Sequence, residues 1–511
     1  TAQVKAISTR SIGSLDAEHL QALTTAGVAA LQTPQLQKLS AGQISVLAGN
    51  QIAALTTSQV AALSTSQAAS LTAEQVASLT KVQAKAMEAA DFAAINTRAI
   101  SAMGTEQVAS LTAAQVVALT TSQARALTVE QLGALTSSQV GSLETADLAA
   151  MTPDQISSMT ASGITALGTK VAKLSSDQIA ELTTAQAKAL TNTQIGALTS
   201  TQAKALTSAQ LKELGSAQIS QLSAGAVAAL TSAQVTGIDS ADFSALSTDQ
   251  LQALSTSSVA SLSSAQFSKL NSSHLAALTT AQAAALSTAN VVALTTAQVD
   301  KLTAGQVAAL TTTQVKSIEA EDVAKLTVDQ VTALSTAQVA ALTTAQAAVI
   351  TSAQVGAMST AQVAALVTAD LAAMSTTAVA ALSAEQAAAL TTAQVVGLTT
   401  AQAAVLTDAA VGALSTAQAA ALTTAQVAAM TTAQTAVMNS SDLRALSTAQ
   451  LAAITTVNVQ QLTTSQVSQL TTVQTAGLAT TNLRALTSNQ VIALTTAQVA
   501  KLETADFAAL S

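Results

Sequence analysis

"LTTAQVAAM", residues 422–430, runs from Leu422 to Met430, and the chain repeats this phrase with small variations from end to end. Leu, Ile or Met recurs at every eighth residue from Ile7 to Leu167 and, after one seven-residue step, from Leu174 to Leu510, which makes sixty-four anchors. All eight Met residues stand at anchors. With the anchor as position 1, Thr or Ser usually follows at 2, a small polar residue or Ala at 3 and 4, and Gln at 5. Val, Ala, Ile or Leu then fills 6, and 7 and 8 are mostly Ala.

The period selects the secondary structure. Eight residues at about 100° each drift by about 80° per repeat, so on one long helix the anchors would spiral around the rod. Positions 1 and 6 differ in parity and would point to opposite faces of a strand. One short helix per octad remains, and its start is written in the sequence. Thr423 followed three residues later by Gln426 is a capping box: the hydroxyl takes a backbone N–H and the Gln side chain returns to the N–H of the cap. Leu422 and Val427 stand where a hydrophobic staple needs them.

Charge supports helices over a β-solenoid. Of 27 acidic residues, 24 lie at positions 2 to 5, the exceptions being Glu181, Glu213 and Asp300, and at least 14 of the 19 basic residues lie at positions 7 or 8. Acids at one end and bases at the other match a helix dipole. Pro34 and Pro153 fall at positions 4 and 3, inside the first turn where a missing N–H is tolerated. The fold class read from these patterns is all-α, a tightly wound solenoid of very short helices, one per octad. Positions 1 and 6 form its seam, helped by Ala at 8, and stability is a sum of nearest-neighbour contacts. Along Val379, Ala387, Val395, Ala403, Val411, Ala419 and Val427, position 6 alternates large and small, which suggests a sixteen-residue helical hairpin as the repeating unit.

Residues 1–511 read as a single continuous array. "GTKVAKL", residues 168–174, is one residue short and lacks the Gln, so a local defect in the winding is expected there. The octad is in phase at both ends, which points to a segment of a longer array or to head-to-tail stacking of copies. Seven octads carry Asp at position 5, as in "EAADF" at 88–92 and "ETADF" at 503–507, and these are read as substitute caps. Phe92, Phe243, Phe267 and Phe507 all stand at position 6 and are read as larger seam fillers.

Composition narrows the function classes. Only 9% of residues are charged and the net charge is −8, with the basic residues scattered, so no footprint for nucleic acid appears. Polar residues interrupt every apolar run before the roughly 18 residues a membrane span needs. There is no Cys, hence no disulfide or thiolate metal site, and the Gly residues form no phosphate-cradling run. His19 and His274, the only histidines, replace Gln at position 5 and are read as caps. Two isolated His in a uniform repeat assemble no nucleophilic constellation. We therefore expect no catalytic, cofactor-binding or metal-ligating residue and no enzyme.

The "LTTAQV" octad over all 511 residues resembles the alanine- and threonine-rich repeat regions of very large bacterial secreted or surface proteins, loosely labelled adhesins or haem-utilisation proteins. The resemblance implies an extracellular or cell-surface location and a structural role, the shaft of a filament, sheath or stalk. An alternative is an adhesive surface that presents Thr, Ser and Gln columns to glycans or ice. Expected partners are copies of the chain itself and cell-surface glycans, without nucleic acid. The haem label has no repeated His, Cys or Tyr behind it.

Overall fold

The computed structural model describes residues 1–510, and among them none lies in a strand. They form sixty-three α-helices of four to seven residues and one 3-10 helix, recurring once per octad. The quoted stretch shows how each is bounded. Thr423 is extended (φ −74°, ψ 156°), the helix runs Thr424–Ala429, and Met430 is extended again (φ −57°, ψ 142°). Two consecutive extended residues, positions 1 and 2, therefore make the whole corner between helices. The helix start is the expected capping box: the backbone N–H of Gln426 donates to Thr423 Oγ1 at 3.1 Å, and the N–H of Thr423 donates to Gln426 Oε1 at 2.8 Å. Thr423→Ala removes one half of this box and is expected to cost about 1 kcal/mol. Hydrogen exchange at 424–429 should accelerate about fivefold.

The chain divides into two compact units, Thr1–Leu262 and a second from Ser263 onward. In the first, Gly49–Ala53 packs on Ala73–Ser78, and Ser137–Ser142 on Ala161–Ala166. In the second, Thr344–Ala348 packs on Thr368–Ala373, and Thr416–Ala421 on Ser440–Ala445. In every pair the partner is the third helix along. A two-helix hairpin is therefore not the packing unit, and the large-small alternation at position 6 fits side chains to neighbouring turns without defining one.

The buried layer is richer than a seam of positions 1 and 6. Leu422 and Val427 are buried, but so is Gln426 at 1% exposure, whereas position 8 is only half-buried. A six-residue helix leaves its first N–H and last C=O groups without intrahelical partners. The Gln side chain serves both ends at once. While its Oε1 caps its own helix, Gln426 Nε2 donates to the carbonyls of Val395 at 2.8 Å and Leu398 at 2.7 Å, the C-terminal end of helix Thr392–Gly397. The same pair of acceptors, 31 and 28 residues back, recurs in the first unit, where Gln131 donates to Ile100 and Met103 at 2.9 and 2.7 Å. A helix thus lies beside the third helix along and, where Gln stands at position 5, is tied through it to the fourth. Within each unit one turn of the solenoid takes between three and four octads.

Phe92, Phe243 and Phe267 are fully buried as seam fillers, but Phe507 in the helix Thr504–Leu510 is 48% exposed.

Candidate functional site

Two surfaces could carry function: the internal ladder of Gln side chains and the outward face of the octads. Outward stand positions 3, 4 and 7, as with Thr424, Ala425 and Ala428, so the exposed face carries both hydroxyls and methyls. Shallow grooves run between neighbouring turns. One of about 610 Å³ is lined by Thr448, Ala449, Thr472, Val473, Gly477 and Lys501. Another, of about 790 Å³, is lined by polar groups that include Thr72, Glu74, Asn96 and Arg98. The two have different chemistry, so the grooves do not repeat one binding site along the chain.

The seven-residue step is absorbed by one side chain. Lys170 stands immediately before the buried Val171, where Gln would be, and its Nζ donates to the carbonyls of Gly141 at 2.8 Å and Leu143 at 2.7 Å. The 3-10 helix Gly168–Lys173 replaces the α-helix, and Gly168 (φ 55°) is the only residue with positive φ among those described. Beyond it Gln178 reaches Leu148 and Met151, 30 and 27 residues back, and by Gln202 the separations are again 31 and 28. The expected winding defect is therefore confined to this corner, where Gln194 donates to Gly168 at 3.2 Å in place of the anchor Leu167. A Cβ on Gly168 would meet nothing within 4 Å, so Gly168→Ala tests backbone strain alone. It should cost about 1 kcal/mol, read as faster exchange limited to the 168–174 corner.

At Asp octads the ladder changes. Six of the seven position-5 carboxyls are buried, Asp242 being half-exposed. Asp506 acts as the expected cap, its Oδ2 accepting the N–H of Glu503 at 3.0 Å. Others accept a hydroxyl from the preceding turn: Thr65 donates to Asp91 and Thr344 to Asp370, both at 2.8 Å, Thr416 to Asp442 at 3.2 Å, and Ser216 to Asp242 at 2.6 Å. A carboxylate accepts but cannot donate, so none of them offers the anchor carbonyl what Gln offers. One oxygen each of Asp147, Asp322 and Asp442 is buried with no hydrogen-bond partner. Burial pushes the Asp322 carboxyl up to about 6, with the charges of Glu319 and Glu321 adding to it. Asp147 is raised by burial and then by Glu144, and Asp442 by burial.

The two histidines part ways. The backbone N–H of Asn271 approaches Nδ1 of the buried His274 at 3.4 Å, the expected cap geometry. His19 instead turns its Nδ1 to Asp16 Oδ1 at 2.6 Å on an exposed surface. Backbone and ring contacts from His19 hold the Asp16 carboxyl below its usual range. Among the described residues no group of three or more His, Asp or Glu is placed to hold a metal ion, and no helix is long and apolar enough to cross a membrane.

The pattern of the ALTTAQ repeat matches residues 85–121, 171–208, 235–272, 275–312, 315–352, 336–368, 363–400, 435–472 and 475–504, more than half of the chain. The chain belongs to the ALTTAQ repeat family. No curated protein matches it. The ALTTAQ text can now be assigned letter by letter: Leu is the anchor, the first Thr the cap, the second Thr an exposed helical residue, and Gln the tie to the previous turn. Sequence reasoning had credited this Gln with capping alone. The missed signal was available, because a capping box accepts Glu as well as Gln, yet no Glu of this chain stands at position 5. Gln donates there as well as accepting, and an ionised Glu could only accept.

Proposed function

We propose that this ALTTAQ repeat chain is the shaft of an extracellular filament, sheath or surface stalk, with no catalytic role. The observation that carries the reading is the tie between turns. Gln donates to backbone carbonyls, which every octad supplies whatever its side chains, so adding octads adds turns without requiring new chemistry. Such an array specifies length and tolerates variation on its outward face. The extracellular setting rests on the likeness to repeat regions of large bacterial surface proteins, and copies of the chain are its natural partners. Electron microscopy of the native full-length protein should show filaments, sheaths or stalks at the cell surface. Compact, monodisperse particles would contradict the proposal.

A second reading follows from the outward hydroxyls. Exposed Thr and Ser at positions 3 and 4 present a regular surface to glycans or ice. Glycan-array and ice-recrystallisation assays that remain blank would remove it. A positive result should be weakened by substitutions at positions 3, 4 or 7 and unaffected by cap substitutions that leave the fold intact.

A further inference from the structure

Asn at position 5 shows what a side chain of Asp length can reach. Asn458 Nδ2 donates to the carbonyl of Met430 at 2.7 Å, and Asn482 Nδ2 to that of Ile454 at 2.9 Å, in both cases the anchor 28 residues back. A neutral carboxyl has the same two functions as an amide, one accepting oxygen and one donor, whereas the carboxylate keeps only the first. The anchors equivalent to Met430 and Ile454 are Leu119 for Asp147, Leu294 for Asp322 and Leu414 for Asp442. These are the three Asp residues whose Oδ2 is buried without a partner.

We propose that Asp147, Asp322 and Asp442 are proton-operated ties between successive turns. With a proton taken from solvent, each carboxyl donates to its anchor carbonyl as Gln does. When the proton leaves, the tie opens and the Oδ2 of a buried carboxylate is left without a donor, which loosens the two turns locally.

The neighbouring charges bear on each site differently. Beside Asp147 stand Glu144 on its own octad, Arg125 on the packed helix Thr121–Ala126, and Lys170 and Lys173 on the 3-10 helix Gly168–Lys173. Asp322 has Glu319, Glu321 and Lys325 nearby in sequence. The packed helix Thr296–Val299 is followed by the paired Asp300 and Lys301, and the packed helix Thr344–Ala348 carries no titratable side chain. Asp442 has Arg444 on its own helix, and the helices Thr416–Ala421 and Thr464–Gln469 packed against it carry none. All three carboxyls are raised above the ordinary Asp range, chiefly by burial. A group raised by folding contributes stability that is full below its unfolded value and is lost as pH rises through its folded value. For Asp322 that window runs from about 4 to about 6.

Hydrogen-exchange mass spectrometry of the full chain at pH 5 and pH 7.5, corrected for intrinsic exchange, tests this. Protection around Leu294 and Asp322 should be about tenfold higher at pH 5, with smaller changes in the same direction around Asp147 and Asp442. In the Asp147→Asn, Asp322→Asn, Asp442→Asn variant the amides donate at every pH, so protection at these segments should stay at the pH 5 level. Both His remain in that variant and control for their own titration. If the triple variant does not fold, Asp322→Gln alone, which restores the common octad, serves the same purpose. Protection in the wild type that is the same at both pH values would overturn the proposal. So would a pH response that survives the substitutions, or protection that follows potassium or calcium concentration at fixed pH, the mark of a bound cation.

Discussion

Gln426→Glu is expected to destabilise the turns it joins by about 3 kcal/mol at neutral pH, although by capping rules it is conservative. The carboxylate can still accept the N–H of Thr423, so the cap survives. What is lost is the donor to Val395 and Leu398, whose carbonyls Gln426 Nε2 reaches at 2.8 and 2.7 Å. The Leu398 carbonyl would be left unpaired beside a buried negative charge, while Val395 keeps only the N–H of Leu398 at 3.3 Å, and an unpaired buried acceptor costs about 1 to 3 kcal/mol. Exchange should accelerate about a hundredfold at 392–398 and 424–429, two segments about 30 residues apart, with distant octads unchanged. Acid should restore much of the loss, because a neutral Glu regains a donor. An effect confined to 424–429 would show that Gln is only a cap. Exchange is the right observable, since a long repeat array does not unfold as one two-state unit.

Lys170→Met should cost about 2 kcal/mol, concentrated where the octad count slips. The Met side chain has similar length and keeps the apolar stem, but nothing would then pair the carbonyls of Gly141 and Leu143. Protection should fall by roughly thirtyfold at 139–143 and across 168–174. The same exchange at Lys188→Met removes only a surface pairing with Glu213 at 3.3 Å and should change stability by well under 1 kcal/mol. Equal effects at the two lysines would refute the assignment of Lys170 to the ladder.

Local chemistry was legible from the sequence to a large degree. Leu422, Thr423, Gln426 and Val427 announce a capped, stapled helix because capping is a contact between residues three apart, and the segregation of acids and bases confirms its direction. What could not be read is which helix lies beside which. A period of eight fixes the element but not the angle at its corner, and that angle depends on the dihedrals of two extended residues such as Leu422 and Thr423. For this reason position 6 alternation suggested hairpins where the chain packs third helix on third helix. The second function of Gln426 was hidden for the same reason, since its acceptors are distant in sequence. Nothing in the broken repeat singles out Lys170, and only the facing carbonyls of Gly141 and Leu143 give it a role.

The winding itself can be tested with a chain that has no Cys to interfere. Ser137 Oγ lies 3.0 Å from Ser162 Oγ on the exposed face, across one turn and 25 residues of sequence. Ser137→Cys with Ser162→Cys should therefore form a disulfide rapidly under mild oxidation without loss of helical signal. The pair Ser137→Cys with Thr145→Cys, one octad apart, should link more slowly. Preferential linking of 137 to 162 is the result expected if a turn takes between three and four octads, and faster linking of 137 to 145 in the folded chain would contradict it.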